Sequence, residues 1–227
     1  MASTLFSQFQ NLVVLDTETT GIDHKRDEII ELAALRADVS GGSVQPLEEM
    51  DLLIRLSPGR SIPPVIEQLT GISNEMLLRE GVSKEQAGDR FASMLAHPDT
   101  LVVAYNAQFD LCFLYYFLAR LGRADALRGI RMLDALTVYR DRRDYPHKLC
   151  NAIESYALQG QNTHRAIDDA KATLELLEAM AEEEDDLRNY INLFGYHPKY
   201  GISGPRIASI LYRPQGYDRR CRLYDLP

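Results

Sequence analysis

Asp16 and Glu18 stand two residues apart at the end of a short apolar run, Val13-Val14-Leu15, and the segment breaks at Gly21. Side chains along a β-strand repeat their direction every second residue, so both carboxylates point to one side. Two such groups repel each other unless a cation lies between them. Hard oxygen donors of this kind suit Mg²⁺ or Mn²⁺. The pair reads as half of a divalent-metal site at a strand end. Two other stretches can complete it. Val102-Val103-Ala104 leads through Tyr105, Asn106, Ala107, Gln108 and Phe109 to Asp110: a strand, a polar turn and an acid at a helix start. Thr163-His164-Arg165 sets a histidine just before a helix with Asp168 and Asp169 in its first turns. Singly, each has an ordinary explanation. An acid in a first turn suits the helix dipole, and a lone histidine is most often a surface group. Strand ends and helix starts can share one edge of a sheet, however. Asp16, Glu18, Asp110 and an acid from 168–169 would then cluster there, with His164 beside them.

The elements that must position these groups are legible as periodicity and punctuation. Strands are expected at 11–16, 28–37 and 50–56, with a hairpin turn at 40–45, which makes an antiparallel meander. Pro63 and Pro64 open a helix that runs through Leu69. Ser73 caps a short helix, and Ser83 caps a longer one reaching about residue 96. A buried strand follows at 101–104, then a helix over 107–121 that ends at Gly122. A fifth strand is expected at 130–133, with helices at 134–139, 149–156 and 165–183. The result is an α/β fold: a mixed five-stranded sheet, part meander and part parallel, flanked by helices. Thr17 and Thr19 alternate with the two acids and should face the other side. Thr20 and Gly21 should form a tight turn, with Gly21 tolerating a positive φ.

Three motifs occur in order: Asp-Thr-Glu-Thr-Thr-Gly at 16–21, Asn-Ala-Gln-Phe-Asp at 106–110 and His-Arg-Ala-Ile-Asp-Asp-Ala at 164–170. Pro63-Pro64 and Leu69-Thr70-Gly71-Ile72-Ser73 add a fourth segment. With these the chain resembles the DnaQ-like, or DEDDh, family of 3′–5′ exonucleases over roughly residues 11–180. That family includes the proofreading exonuclease of bacterial replicative polymerases. The resemblance implies an RNase H-like sheet. It implies Asp16, Glu18, Asp110 and Asp169 as ligands of two divalent cations, Mg²⁺ or Mn²⁺. Asp169 is preferred to Asp168 because the family's last ligand follows the histidine by five. His164 is implied as the general base, imidazole being the side chain that ordinarily titrates near neutral pH. Thr17, Thr19, Asn106 and Phe109 are implied as substrate contacts, though Phe109 also reads as core. Tyr105 departs from the pattern, since many relatives carry histidine before the asparagine. The implied reaction is two-metal hydrolysis of the terminal phosphodiester at single-stranded or frayed 3′ ends, releasing nucleoside 5′-monophosphates. DNA stands ahead of RNA as substrate. The rivals are an exoribonuclease of the same family and a non-catalytic module that docks on a DNA polymerase or another nucleic-acid machine.

The bulk numbers agree with this frame. The chain has 227 residues, 45% apolar and 26% charged, and a net charge of -8. Proteins that coat long duplexes are usually basic, so the balance disfavours that class, while cations in a site can reverse its local charge. No apolar run approaches the roughly 20 residues that span a bilayer. The N-terminus lacks the basic start and apolar core of a signal peptide, and a cytoplasmic protein is expected. Cys112, Cys150 and Cys221 are odd in number and widely spaced, which argues against a zinc or disulfide framework. The acidic run at 182–186 suggests an exonuclease domain over 1–183 and a C-terminal extension over 184–227. From His197 to Arg222 that extension carries six Lys or Arg residues (199, 206, 213, 219, 220, 222) against Asp218, interleaved with Tyr200, Tyr212 and Tyr217. Such a segment can hold a single strand. The plainer expectation is a wrap packed on the domain, its tyrosines against the surface.

Overall fold

The computed structural model describes residues 4–216 and 221–226. A five-stranded sheet in the order β3-β2-β1-β4-β5 forms its centre. The strands are β1 (Asn11–Thr19), β2 (Ile29–Asp38), β3 (Gln45–Leu53), β4 (Thr100–Ala104) and β5 (Arg131–Asp134). β1 to β3 pair antiparallel as the meander, while β4 lies parallel to β1 and β5 parallel to β4. Adjacent residues of the central strands are apolar and go to opposite faces, as in a sheet covered on both sides. Leu12, Val14, Leu101, Val103 and Leu133 pack with Leu176, Leu177 and Met180. Val13, Leu15, Val102, Ala104 and Met132 pack with Phe91, Met94, Leu114 and Phe117.

The covering helices are α1 (Pro64–Thr70), α2 (Asn74–Glu80), α3 (Lys84–Leu95), α4 (Ala107–Arg120), α5 (Ala135–Arg142), α6 (Leu149–Ser155) and α7 (Ala166–Glu183). Local chemistry starts several of them. Ser73 Oγ accepts from Met76 N at 3.1 Å, and Ser83 with Gln86 forms a reciprocal capping box. Gly122, at φ 70, follows the end of α4. Among the described residues no helix is long and apolar enough to cross a membrane.

Two features fell outside the sequence reading. β1 runs on past Asp16 to Thr19, because its pairing with β2 continues through Glu18↔Glu31 and Thr19↔Ile29. Its pairing with β4 ends at Val14↔Val103. The end of β1 is thus paired with a strand on one side only, and the start of α4 meets it on the other through Thr17 and Asp110. This is the carboxyl edge shared by the parallel strands β1, β4 and β5, the usual place for a ligand in an α/β sheet. The second feature is a small parallel pair in the C-terminal segment, β6 (Leu193–Tyr196) with β7 (Leu211–Pro214). Gly195 in one strand and Pro214 in the other, residues that strands disfavour, hide this pair in the sequence.

Leu187, Tyr190, Leu193 and Leu223 share one buried cluster with Leu12 and Val14. Asp141 of α5 ties this segment down. It accepts from Tyr190 Oη at 2.9 Å, Gln215 Nε2 at 2.8 Å and Leu223 N at 2.6 Å. Tyr212 is half-buried and Tyr200 is exposed, while Tyr217, Asp218, Arg219 and Arg220 lie outside the described residues.

Candidate active site

The overhanging end of β1 carries Asp16 and Glu18, both half-buried. Asp110 sits in the first turn of α4 and Asp169 in the first turn of α7, and both are buried. His164 lies just before α7 with φ 57, a left-handed conformation uncommon outside glycine. Among the described residues, one group of potential metal ligands has its donor atoms all within 4.8 Å of one another: Glu18, His164 and Asp169. Asp16 and Asp110 adjoin this group. Burial first, and then the charges of Asp110, Asp169 and Glu18, push the Asp16 carboxyl well above its ordinary range. Asp168 is tied off separately, accepting from Thr163 Oγ1 at 2.6 Å. Asp169 turns inward instead. Its Oδ2 accepts from Asn162 Nδ2 at 2.5 Å, and its Oδ1 is buried with no hydrogen-bond partner. A buried, partnerless carboxylate oxygen is rare in a folded protein and calls for a counter-charge.

The other acids carry the same signature. Burial, followed by the charges of Asp169, Glu31 and Asp110, pushes Glu18 up to about 8. Burial raises Asp110 to about 7 despite the hydrogen bond it accepts from Thr17. Burial likewise raises Asp169 to about 6. Several carboxylates, costly to ionise together and without an ion pair among the described residues, fit hard divalent cations.

The electrostatics predict a pH effect with a definite sign. The folded, metal-free chain holds these protons more tightly than the unfolded chain, whose carboxyls titrate near 3.8 and 4.5. The site's contribution to stability therefore falls as pH rises from about 4 to about 8. A divalent cation should remove that loss. Thermal unfolding in EDTA against Mg²⁺ or Mn²⁺ is expected to show a gap in melting temperature that widens with pH across this window. A gap independent of pH would count against a metal site here.

Three side chains outside the motif acids hold them in place. Asp134, at the end of β5, accepts at Oδ1 from Asn106 N (2.9 Å), Ala107 N (3.1 Å) and Leu136 N (3.2 Å), and at Oδ2 from Thr137 Oγ1 (2.7 Å). It therefore fixes the start of α4, where Asn106 adopts φ 68. Glu31 of β2 is fully buried and accepts from Arg165 Nε at 2.8 Å and from Ala166 N at 2.7 Å, which fixes the start of α7 beside His164. Thr17 faces away from Asp16 and Glu18, as expected from the strand period. Its hydroxyl donates to Asp110 Oδ1 at 2.7 Å, so it orients an acid.

Glu31→Ala would leave Ala166 N–H and Arg165 without their acceptor. Breaking a buried pair costs about 3–5 kcal/mol, and about 2–3 is expected here because Arg165 stays partly in water. Urea unfolding measures it, and a loss below about 0.5 kcal/mol would mean that Glu31 does not hold the helix start.

The remaining expected contacts are placed as follows. Thr19 Oγ1 donates to Gly21 O at 2.6 Å. Asn106 is exposed, and Phe109 is half-buried with its ring centroid 4.9 Å from that of Phe113. Tyr105, the departure from the family pattern, donates its hydroxyl to His147 O at 2.9 Å. Gly21 does not use the positive φ it could tolerate. Its lack of a side chain serves close approach, since a Cβ there would stand 2.8 Å from the Asp27 carboxyl carbon.

The model of the exonuclease family RNase T matches residues 13–177, which include all five of these groups. The chain belongs to this DnaQ-like exonuclease family. Its similarity extends to larger proteins. It is 35% identical over 167 residues to a DNA polymerase III PolC-type from Thermotoga maritima, covering 72% of this chain and 11% of that protein. It is 36% identical over 182 residues to the 3′-5′ exonuclease DinG of Bacillus subtilis, covering 76% of this chain and 18% of that protein. The chain thus spans only about a tenth to a fifth of the curated relatives it matches. Its fold superposes on E. coli ExoI in a zinc-bound complex with single-stranded DNA, with a TM-score of 0.71 and 20% identity, over 81% of this chain and 43% of that one. This likeness identifies the fold as the RNase H-like exonuclease fold.

Proposed function

We propose that this exonuclease-family chain is a divalent-metal-dependent 3′–5′ exonuclease acting on single-stranded or frayed DNA ends. The observation that carries the reading is the convergence of Glu18, His164 and Asp169 within 4.8 Å, with a buried Asp169 oxygen left partnerless. Asp16, Glu18, Asp110 and Asp169 would hold two Mg²⁺ or Mn²⁺ ions. When bound, such ions supply an acidified water and stabilise charge on the leaving 3′ oxygen. His164 takes the proton from the attacking water as its oxygen bonds to phosphorus and the bond to the 3′ oxygen breaks. Thr17 keeps Asp110 oriented, Glu31 keeps the histidine's helix in place, and Asn106 and Phe109 contact the terminal nucleotide. The products are nucleoside 5′-monophosphates. DNA is favoured because ExoI is seen with single-stranded DNA and the similar PolC-type protein is a DNA polymerase by name. Work beside a polymerase or another nucleic-acid machine belongs to the same reading.

The test is digestion of matched DNA and RNA strands, single and paired, labelled at the 3′ end, with either metal. Metal-dependent release of mononucleotides from DNA ends is expected. Faster release from RNA would reassign the substrate to RNA. No release from any strand would leave a docking module.

A further inference from the structure

Near the acidic cluster, at the carboxyl ends of β4 and β5, lies a cavity of about 180 Å³. It shares Asn106 with the candidate active site and is walled by Arg140, Tyr196, His197 and Tyr200, with Asp134 in its floor. Neighbouring strands lie about 4.8 Å apart, so β5 is displaced from β1 by about 10 Å along the same edge. The wall contributed by Tyr196, His197 and Tyr200 comes from beyond residue 177, where the family match ends.

Asp134 and Arg140 are the charged residues lining this cavity, and the charge of Arg140 reaches Asp134. The molecule carries a net -8, yet the cavity's one lining acid, Asp134, has both oxygens engaged by Asn106, Ala107, Leu136 and Thr137. Arg140 is half-buried and, among the described residues, makes no hydrogen bond or ion pair. A guanidinium left open at a site edge suits a phosphate. Tyr200 is 75% exposed, its ring centroid 5.0 Å from that of His197, with Lys199 Nζ 5.2 Å from its centre. An exposed aromatic beside a cation, lining a cavity that shares Asn106 with the candidate active site, is an arrangement that holds unpaired bases.

We propose that this cavity binds a nucleotide of the substrate strand on the 5′ side of the scissile linkage, with Arg140 on its phosphate and Tyr200 stacked on its base. The assignment rests on the exonuclease reading and adds to it a subsite built by the C-terminal segment. A substrate that fills only the terminal position should ignore it.

Arg140→Ala and Tyr200→Ala, compared with the unmodified chain, test this with two substrates. The p-nitrophenyl ester of thymidine 5′-monophosphate presents a single nucleotide, whereas a thymidine dodecamer reaches the cavity. Hydrolysis of the ester is expected to stay within about twofold. For the dodecamer, kcat/KM is expected to fall about five- to tenfold in each variant, mostly through KM. Arg140→Ala should also lessen the slope of log KM against log salt by about 0.7, the share of one phosphate contact on a single strand. Equal losses on both substrates, or no loss on the dodecamer, overturn the subsite. Anisotropy of a labelled dodecamer keeps the two readings apart. If nothing is hydrolysed but Arg140→Ala still weakens binding, the exonuclease reading falls and the subsite stands. Unchanged binding in Arg140→Ala and Tyr200→Ala removes the subsite whether or not the chain hydrolyses DNA.

Discussion

Asp16→Asn is expected to lower turnover on a single-stranded oligonucleotide by about a thousandfold or more while raising the melting temperature of the metal-free chain. Both effects come from one cause. Burial and the charges of Asp110, Asp169 and Glu18 all resist ionisation of Asp16. Replacing the carboxyl by an amide removes one source of that repulsion. On the proposed reading it also removes a ligand from a cluster whose cations would stabilise the transition state by several kcal/mol, and each 1.36 kcal/mol is about a factor of ten in rate. In a chain of this size about 1 kcal/mol of relief moves the melting temperature by roughly 2–4 °C. Initial rates with Mn²⁺ and melting in EDTA at pH 8 measure the two arms. Normal turnover would displace Asp16 from the site. A lower melting temperature would mean that the carboxyl supports the fold, contrary to the electrostatics.

His164→Ala is expected to slow turnover by about a hundred- to ten-thousandfold, the usual worth of a general base, with a much smaller loss of Mn²⁺ affinity. The distinction is a sharp one, because an imidazole nitrogen lies in the same 4.8 Å group as oxygens of Glu18 and Asp169. Backbone geometry complicates the alanine variant, since residue 164 sits at φ 57 and alanine resists that region. His164→Asn is the companion variant, because asparagine tolerates left-handed φ and cannot act as a base at neutral pH. Single-turnover rates and calorimetric Mn²⁺ titrations on both variants give the answer. A fall in affinity as large as the fall in rate would make His164 a ligand.

The groups expected to do chemistry were legible because each stands at a place where periodicity breaks. Asp16 and Glu18 interrupt an apolar strand at period two, and Asp110, His164 and Asp169 flank helix starts. The groups that support them were not legible. Glu31 sits inside an apolar strand, where an acid reads as facing water, and its partner Arg165 is 134 residues away. Asp134 read as the first residue of its own helix. Its carboxylate also serves the start of α4, 28 residues earlier. No local pattern encodes a hydrogen bond across such distances. Gly21 was only partly legible for a related reason: a glycine reports that a side chain is unwelcome, and Asp27, which makes it so, comes close only in the folded chain. β6 and β7 were missed because each carries a residue that strands disfavour, Gly195 in one and Pro214 in the other.

The starts of α4 and α7 are pinned by Asp134 and Glu31, and neither belongs to the ligand cluster. Scaffold and reactivity are therefore separable in heredity. A descendant could discard Asp16, Glu18 and Asp169 and still keep its shape, because nothing in its framework would have been leaning on the ions. Such a silent cousin would be betrayed by an acid surviving at the positions of Glu31 and Asp134 above an empty set of ligands.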